Sequence, residues 1–228
     1  METTFDMFMT SNMLESELNF KYFKDDFKFT SQFFANYQNI DGADNDTYSI
    51  NQLFLDYKIT DNHLLSVGKK APKLGKGYFA NPVAFIDRKK DPNYPEHAKE
   101  GYSFLNYTYN KSYDGDLKNL AFDIIYMPTT EDLNSDFHGE NSNNVILKSY
   151  LLYKDIDIDF IYLYSDEQND KIGLDFSTNV ETNFEIHAEV AKEMGEDYSY
   201  LLGLRYLTEN ELTMIMEYFD DTQKYLFT

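Results

Sequence analysis

The sequence predicts an all-β fold: an antiparallel up-and-down transmembrane β-barrel of about 12 strands (12–14), forming a single domain across residues 1–228. Three observations carry that expectation. Apolar and polar residues alternate at period two in segments of roughly nine to twelve residues, the length a tilted bilayer-spanning strand requires. The face opposite the aromatic residues carries Asp, Glu and Lys in mid-strand. Short polar joints alternate with links that are often longer, as tight turns and outer loops do in such barrels.

Taken in order along the chain, the first clear element sets Phe27, Phe29, Phe33 and Tyr37 against Lys28, Thr30, Gln32 and Asn36. Leu53, Leu55 and Tyr57 oppose Gln52, Asp56 and Lys58, with Phe54 out of pattern. Leu120, Phe122, Ile124 and Tyr126 oppose Asp123, although Ile125 and Met127 blur that polar face. The segment from Ile156 to Ser165 is the clearest: Ile156, Ile158, Phe160, Tyr162 and Tyr164 alternate with Asp157, Asp159, Ile161, Leu163 and Ser165. A helix would set Asp157 beside Phe160 and leave no clean polar face; a strand separates them. Ile172, Leu174 and Phe176 oppose Gly173, Asp175 and Ser177, and Phe184, Ile186, Ala188 and Val190 oppose Glu185, His187 and Glu189. Tyr198 to Tyr206 and Leu212 to Tyr218 repeat the pattern, and a weak further strand over Phe5 to Thr10 leaves the parity open.

The short joints fall near Lys24 to Asp26, Thr60 to Asn62, Tyr113 to Asp116, Lys154 to Asp155, Asn179 to Thr182 and Thr208 to Asn210. Each contains Asp or Asn, which suit hairpin turns. The longer links are expected at Gln38 to Asp46, Ala71 to Glu100, Thr130 to Asn143, Glu167 to Asp170 and Met194 to Asp197. The second of these is long for a compact all-β domain and too poor in apolar residues for a domain of its own. It reads as an inserted folded loop at about 71–100.

A water-soluble β-sandwich also has strands with one buried face. Ordinary strands centre on five or six residues, shorter than these. Tyr57, Tyr126, Tyr164, Tyr198 and Tyr206 stand at strand ends, where interfacial girdles place aromatics. The mid-strand charges suit a wet or internally paired lumen.

Composition excludes several functions. Forty acidic against 20 basic residues leave a net charge of −20, which opposes nucleic-acid binding. Twenty Tyr and 19 Phe argue against disorder, and the absence of cysteine removes disulfide and thiolate chemistry. No run of apolar residues is long enough for a transmembrane helix. The first residues lack the basic and apolar regions of an export signal, so the sequence reads as a mature form or as a shorter piece of a longer chain.

Ser66-Val67-Gly68-Lys69-Lys70, followed by Gly75-Lys76-Gly77-Tyr78-Phe79-Ala80-Asn81-Pro82-Val83 and then Asp87-Arg88, resembles a segment of a poorly characterised group of Gram-negative outer-membrane proteins that are porin-like in form. The stretch from Leu212 to Phe219 is similar to a late strand of that group. The resemblance implies a barrel and an address in the bacterial outer membrane, without a known substrate. Members of the group are longer, which leaves room for a wall that is incomplete at one or both ends.

Between residues 69 and 100 eight basic side chains face four acidic ones, leaving −24 on the remainder. Lys69, Lys70, Lys73, Lys76, Arg88, Lys89 and Lys90 are therefore candidates either for a basic constriction or for a surface loop facing lipopolysaccharide. Asp123, Asp157, Asp159, Asp175, Glu185 and Glu189 are candidate lumen-facing acids. Together they favour a channel for small hydrophilic solutes over a non-conducting structural or adhesive barrel, or a soluble binding module. Asp41, Asp44 and Asp46 read as a solvated acidic turn rather than a calcium loop. His63, His97, His138 and His187 are scattered, and no serine sits in a nucleophile elbow. No catalytic residue, cofactor or metal is expected. The partners expected are membrane lipids and lipopolysaccharide outside and small solutes inside, with the oligomeric state open to a trimer among other arrangements.

Overall fold

Alternation becomes hydrogen-bonded pairing in strand after strand of the described residues. The computed structural model describes residues 11–40, 42–88, 99–137 and 141–221. The strands are β1 (Ser11–Lys24), β2 (Phe27–Ile40), β3 (Ala43–Thr60) and β4 (His63–Lys70). They continue with β5 (Tyr102–Ser112), β6 (Leu117–Thr129), β7 (Ser142–Tyr153) and β8 (Ile156–Ser165). The last four are β9 (Lys171–Glu181), β10 (Phe184–Glu193), β11 (Tyr198–Leu207) and β12 (Thr213–Asp221). Each pairs antiparallel with its sequence neighbours in one 12-stranded sheet, an up-and-down meander without crossovers. The strand expected over Phe5 to Thr10 lies outside the described residues.

Ten residues at about 3.3 Å each span roughly 33 Å, and a tilt of about 40° brings this near the 25 Å height of an outer-membrane apolar band. β1 and β12 each have one neighbour, so among the described residues the sheet is not closed by pairing.

The turn chemistry follows the acidic and amide residues. Asp25 and Lys154 open two-residue turns at φ of 51° and 57°. The turns at 25–26, 61–62, 113–116, 154–155, 182–183 and 208–212 share one end of the sheet. The other end carries the turn at Gly42 and the links that follow β4, β6, β8 and β10.

One expected link is corrected. Gln38 to Asp46 is not a loop: β2 runs to Ile40 and β3 starts at Ala43, with Gly42 in the turn at φ 86°. The ladder there pairs Tyr37 with Asp46 and Asn39 with Asp44. The Tyr37 hydroxyl and Asn39 Nδ2 both donate to Asp44 Oδ1, at 2.8 and 2.6 Å. Polar pairs extend this hairpin beyond the apolar pattern, and period-two hydrophobicity does not register them. Asp44 and Asp46 are therefore strand residues, and Asp41 lies outside the described residues.

Side-chain polarity across the sheet is the reverse of a soluble protein's. On one face Phe160 is 43% exposed, Leu202 56% and Met216 68%. On the other, Asp159 and Asp175 are 1% exposed and Glu189 2%. Residues 71–88 cover that second face. Leu74, Val83 and Ile86 are buried in a cluster with Tyr102 and Phe104 of β5, Ile125 and Met127 of β6, Ile146 of β7, Ile161 and Leu163 of β8, and Ala191 of β10. One segment reaching so many strands, each about 4.8 Å from the next, requires the sheet to curl around it. The charged face is thus the inner one, and the apolar face looks outward.

Candidate functional site

Register places the inner carboxylates side by side. Asp159 of β8 faces Asp175 of β9, and Asp175 faces Glu189 of β10. Like charges directly opposite one another repel, and more strongly away from water. Cations answer them. Lys148 Nζ of β7 lies 3.2 Å from Asp159 Oδ1. Lys76 Nζ, from the inserted segment, lies 2.8 Å from Asp159 Oδ2 and 3.7 Å from Asp175 Oδ1. Burial opposes charge on Lys76 more than any other single influence. The hydrogen bond to Asp159 and the attraction of Asp159, Asp175 and Asp157 outweigh it and hold the ammonium above the usual lysine range.

Two further carboxylates hold the segment by its backbone. Glu189 Oε1 accepts from the amides of Lys76 and Gly77 at 2.5 and 2.6 Å, and Oε2 accepts from Val83 at 3.3 Å. Glu217 of β12 accepts from Tyr78 at 2.7 Å, Phe79 at 2.9 Å and Ala80 at 3.4 Å. Consecutive amides converging on one carboxylate form the same concavity that binds anions in nests. Here the anion is a side chain of the wall. His187 of β10 braces the second carboxylate, with Nε2 2.9 Å from Glu217 Oε1 and Nδ1 3.4 Å from Glu185 Oε1. Gly203 of β11 makes room for that imidazole, since a Cβ there would lie 2.0 Å from Nε2. Gly173 does the same for the segment: a Cβ would meet Val83 Cγ1 at 2.8 Å and Phe85 Cζ at 3.1 Å.

Arg88, Lys99, Lys69 and Lys70 gather where the segment leaves and rejoins the sheet. Arg88 pairs with Glu100 and Asp136, both at 2.8 Å, and its guanidinium stacks over the Tyr102 ring at 4.5 Å. Lys99 pairs with Asp87 at 2.6 Å. Burial pushes the Asp87 carboxyl up, against the pull of Lys99. Lys70 reaches Asp56 of β3 at 3.8 Å, and Lys69 bonds Glu100.

Of the expected basic group, Lys76 lies deep on the inner face and Lys70 points to it from the end of β4. Lys69 falls on the outward side of the ladder, opposite Leu53, and bends to the rim. Lys73 is exposed, and Lys89 and Lys90 lie outside the described residues. Of the acids, Asp123, Asp157, Asp159, Asp175, Glu185 and Glu189 all take inner-face register positions. The structure brings Asp159, Asp175 and Glu189 together around Lys76. Asp123 sits apart with Asn106 and Thr108, and Asp157 with Tyr150.

Sequence reasoning did not single out Glu217 or His187. Alternation did place both on polar faces. Their pairing depends on β10, β11 and β12 lying side by side, with His187 opposite Gly203 and Gly203 opposite Glu217.

No family model matches the chain, and no curated protein matches it. Among solved structures it is similar to a Rhodopseudomonas blastica porin carrying three substitutions, at 13% identity and a TM-score of 0.48, covering 92% of this chain and 85% of that one. It is also similar to OmpF of Salmonella typhi, at 9% identity and a TM-score of 0.46, covering 94% and 83%. A loop-deletion mutant of OmpT, an outer membrane protein of Vibrio cholerae, matches at 13% identity and a TM-score of 0.39, covering 92% and 93%.

Proposed function

We propose that this chain is a porin-like barrel of the bacterial outer membrane, one domain with no enzymatic role, that passes small hydrophilic solutes. In this reading residues 71–88 narrow the passage, with Lys76 set against the wall acids at its tightest level and Lys70 and Arg88 toward the rim. The observation that carries the reading is the reversed polarity of the sheet. An apolar outward face of this extent is a liability in water and the required surface in lipid. Tyr57 and Tyr206 stand at the turn end of that face, and Tyr126, Tyr164 and Tyr198 at the link end, which suits two interfacial girdles.

Conductance across planar bilayers tests it. Protein shown to be folded by its shifted mobility on unboiled gels is expected to give discrete current steps. Folded protein that inserts and gives none supports the second reading, a non-conducting barrel. The observation favouring that alternative is the pairing of Lys76 and Lys148 with buried Asp159, which ties segment to wall. Solubility without detergent would overturn both.

A further inference from the structure

Lys192 lies on the outward face near the end of β10. Among the outward positions of β8 to β12 it is the single basic side chain, surrounded by aromatic and aliphatic residues. Its cross-strand neighbours are Ile172 and Tyr198, and among the described residues it makes no salt bridge. Its ammonium lies 4.4 Å from the centre of the Tyr198 ring. The nearby Lys171 and Glu193 pair with each other at 3.2 Å on the opposite face of the sheet.

The position is one residue from the end of β10, at the end of the sheet that carries the longer links. Beside it opens an outward groove of about 470 Å³, lined by Phe160, Ile172, Leu174, Val190, Met194 and Tyr198. Gly173, which has no side chain, and Ala191, whose methyl group belongs to the inner face, complete the lining. By register, Lys192 and Ile172 lie at one level, and Val190 and Leu174 two residues deeper along the strands. The groove therefore runs from a cation at the polar boundary toward the apolar band.

We propose that this groove is a lipid site, holding one anionic phosphate-bearing lipid with its phosphate on Lys192 and an acyl chain along Leu174 and Val190. The proposal rests on the membrane-embedded reading above. A lysine at this height extends its ammonium to the headgroup level, where the abundant anion is lipid phosphate. Tyr198 flanks the same headgroup and limits the freedom of the ammonium. The apolar lining supplies what a free phosphate ion has no use for, which is why the occupant is an amphiphile. The inner-face carboxylates are screened from the site by the wall itself.

Native mass spectrometry of the folded, detergent-purified chain tests this, with phosphatidylglycerol and phosphatidylcholine of the same acyl chains as probes. The expected result is one retained phosphatidylglycerol in preference to phosphatidylcholine. Lys192→Gln is expected to weaken phosphatidylglycerol retention about fivefold, the effect of about 1 kcal/mol per basic residue at a membrane surface. Lys192→Arg is expected to preserve it. Val190→Phe, which fills the groove, is expected to weaken both lipids. Equal retention of the two lipids by the unaltered chain, or unchanged phosphatidylglycerol retention by Lys192→Gln, overturns the proposal. Unboiled mobility and conductance are expected to be the same for Lys192→Gln as for the unaltered chain, because the residue faces away from the passage. A chain that needs no detergent sinks the membrane reading itself, whereas a conducting chain indifferent to Lys192 sinks only the lipid site.

Discussion

The walls built by β1 and by β5–β10 share one sheet, one pairing scheme and one outward apolar face, yet their inner faces differ. In β6 to β8, Met127, Ile146, Ile161 and Leu163 are fully buried. In β1 every described side chain is exposed, whereas β3 buries Asn51, Phe54 and Asp56. The sheet does not create the burial; the inserted segment does. The difference is written at inner positions. β1 carries Glu15, Glu17, Asn19 and Lys21 there, whereas β6 to β8 carry Ile125, Met127, Ile146, Ile161 and Leu163. Residues that blur the alternation mark where the segment docks. A polar inner face without them is left to water.

Removing the segment tests this contrast most severely. Replacing residues 74–86 by a short Gly/Ser turn withdraws Leu74, Val83 and Ile86, each worth about 1.5–3 kcal/mol of burial. The barrel is expected to lose roughly 5 kcal/mol in denaturant unfolding and to conduct several-fold more current. Unchanged conductance would show that the segment does not obstruct the path.

Next in size, Lys76→Met leaves Asp159 and Asp175 facing each other with only Lys148 nearby. A loss of about 3–5 kcal/mol is expected, as for a buried pair broken on one side. The reversal potential in a salt gradient should move toward cation preference. Both effects are absent if Lys76 is an ordinary surface lysine.

On the outward face the two walls are expected to behave alike. Leu18→Lys in β1 and Leu174→Lys in β9 should each cost about 2–4 kcal/mol when folding into lipid vesicles is followed, if they lie near mid-membrane. A neutral result at both positions argues for a surface in water.

Gly173→Ala should cost about 1–3 kcal/mol by overpacking against Val83 and Phe85, read as a lower unfolding midpoint. Lys21→Ala, on the uncovered inner wall, should change stability by less than about 0.5 kcal/mol. A large effect there would mean that β1 is covered by something after all.

Much of this was legible from residue order alone. Period-two alternation identified strands, faces and all six inner acids, because a strand sends successive side chains to opposite sides whatever the rest of the molecule does. Asp and Asn located the tight turns at one end for the same local reason. The hairpin across Ile40 and Ala43 escaped because polar pairs close it, and Lys69 turned out on the outward side because β4 continues past Val67 to Lys70. Tertiary structure alone decided where the basic segment goes. Its folding onto the inner face depends on Gly173 and Gly203 leaving space, on Glu189 and Glu217 reaching amides more than a hundred residues away in sequence, and on Asp159 and Asp175 meeting across two strands. Those contacts join residues with no fixed spacing, so no periodicity in the chain encodes them.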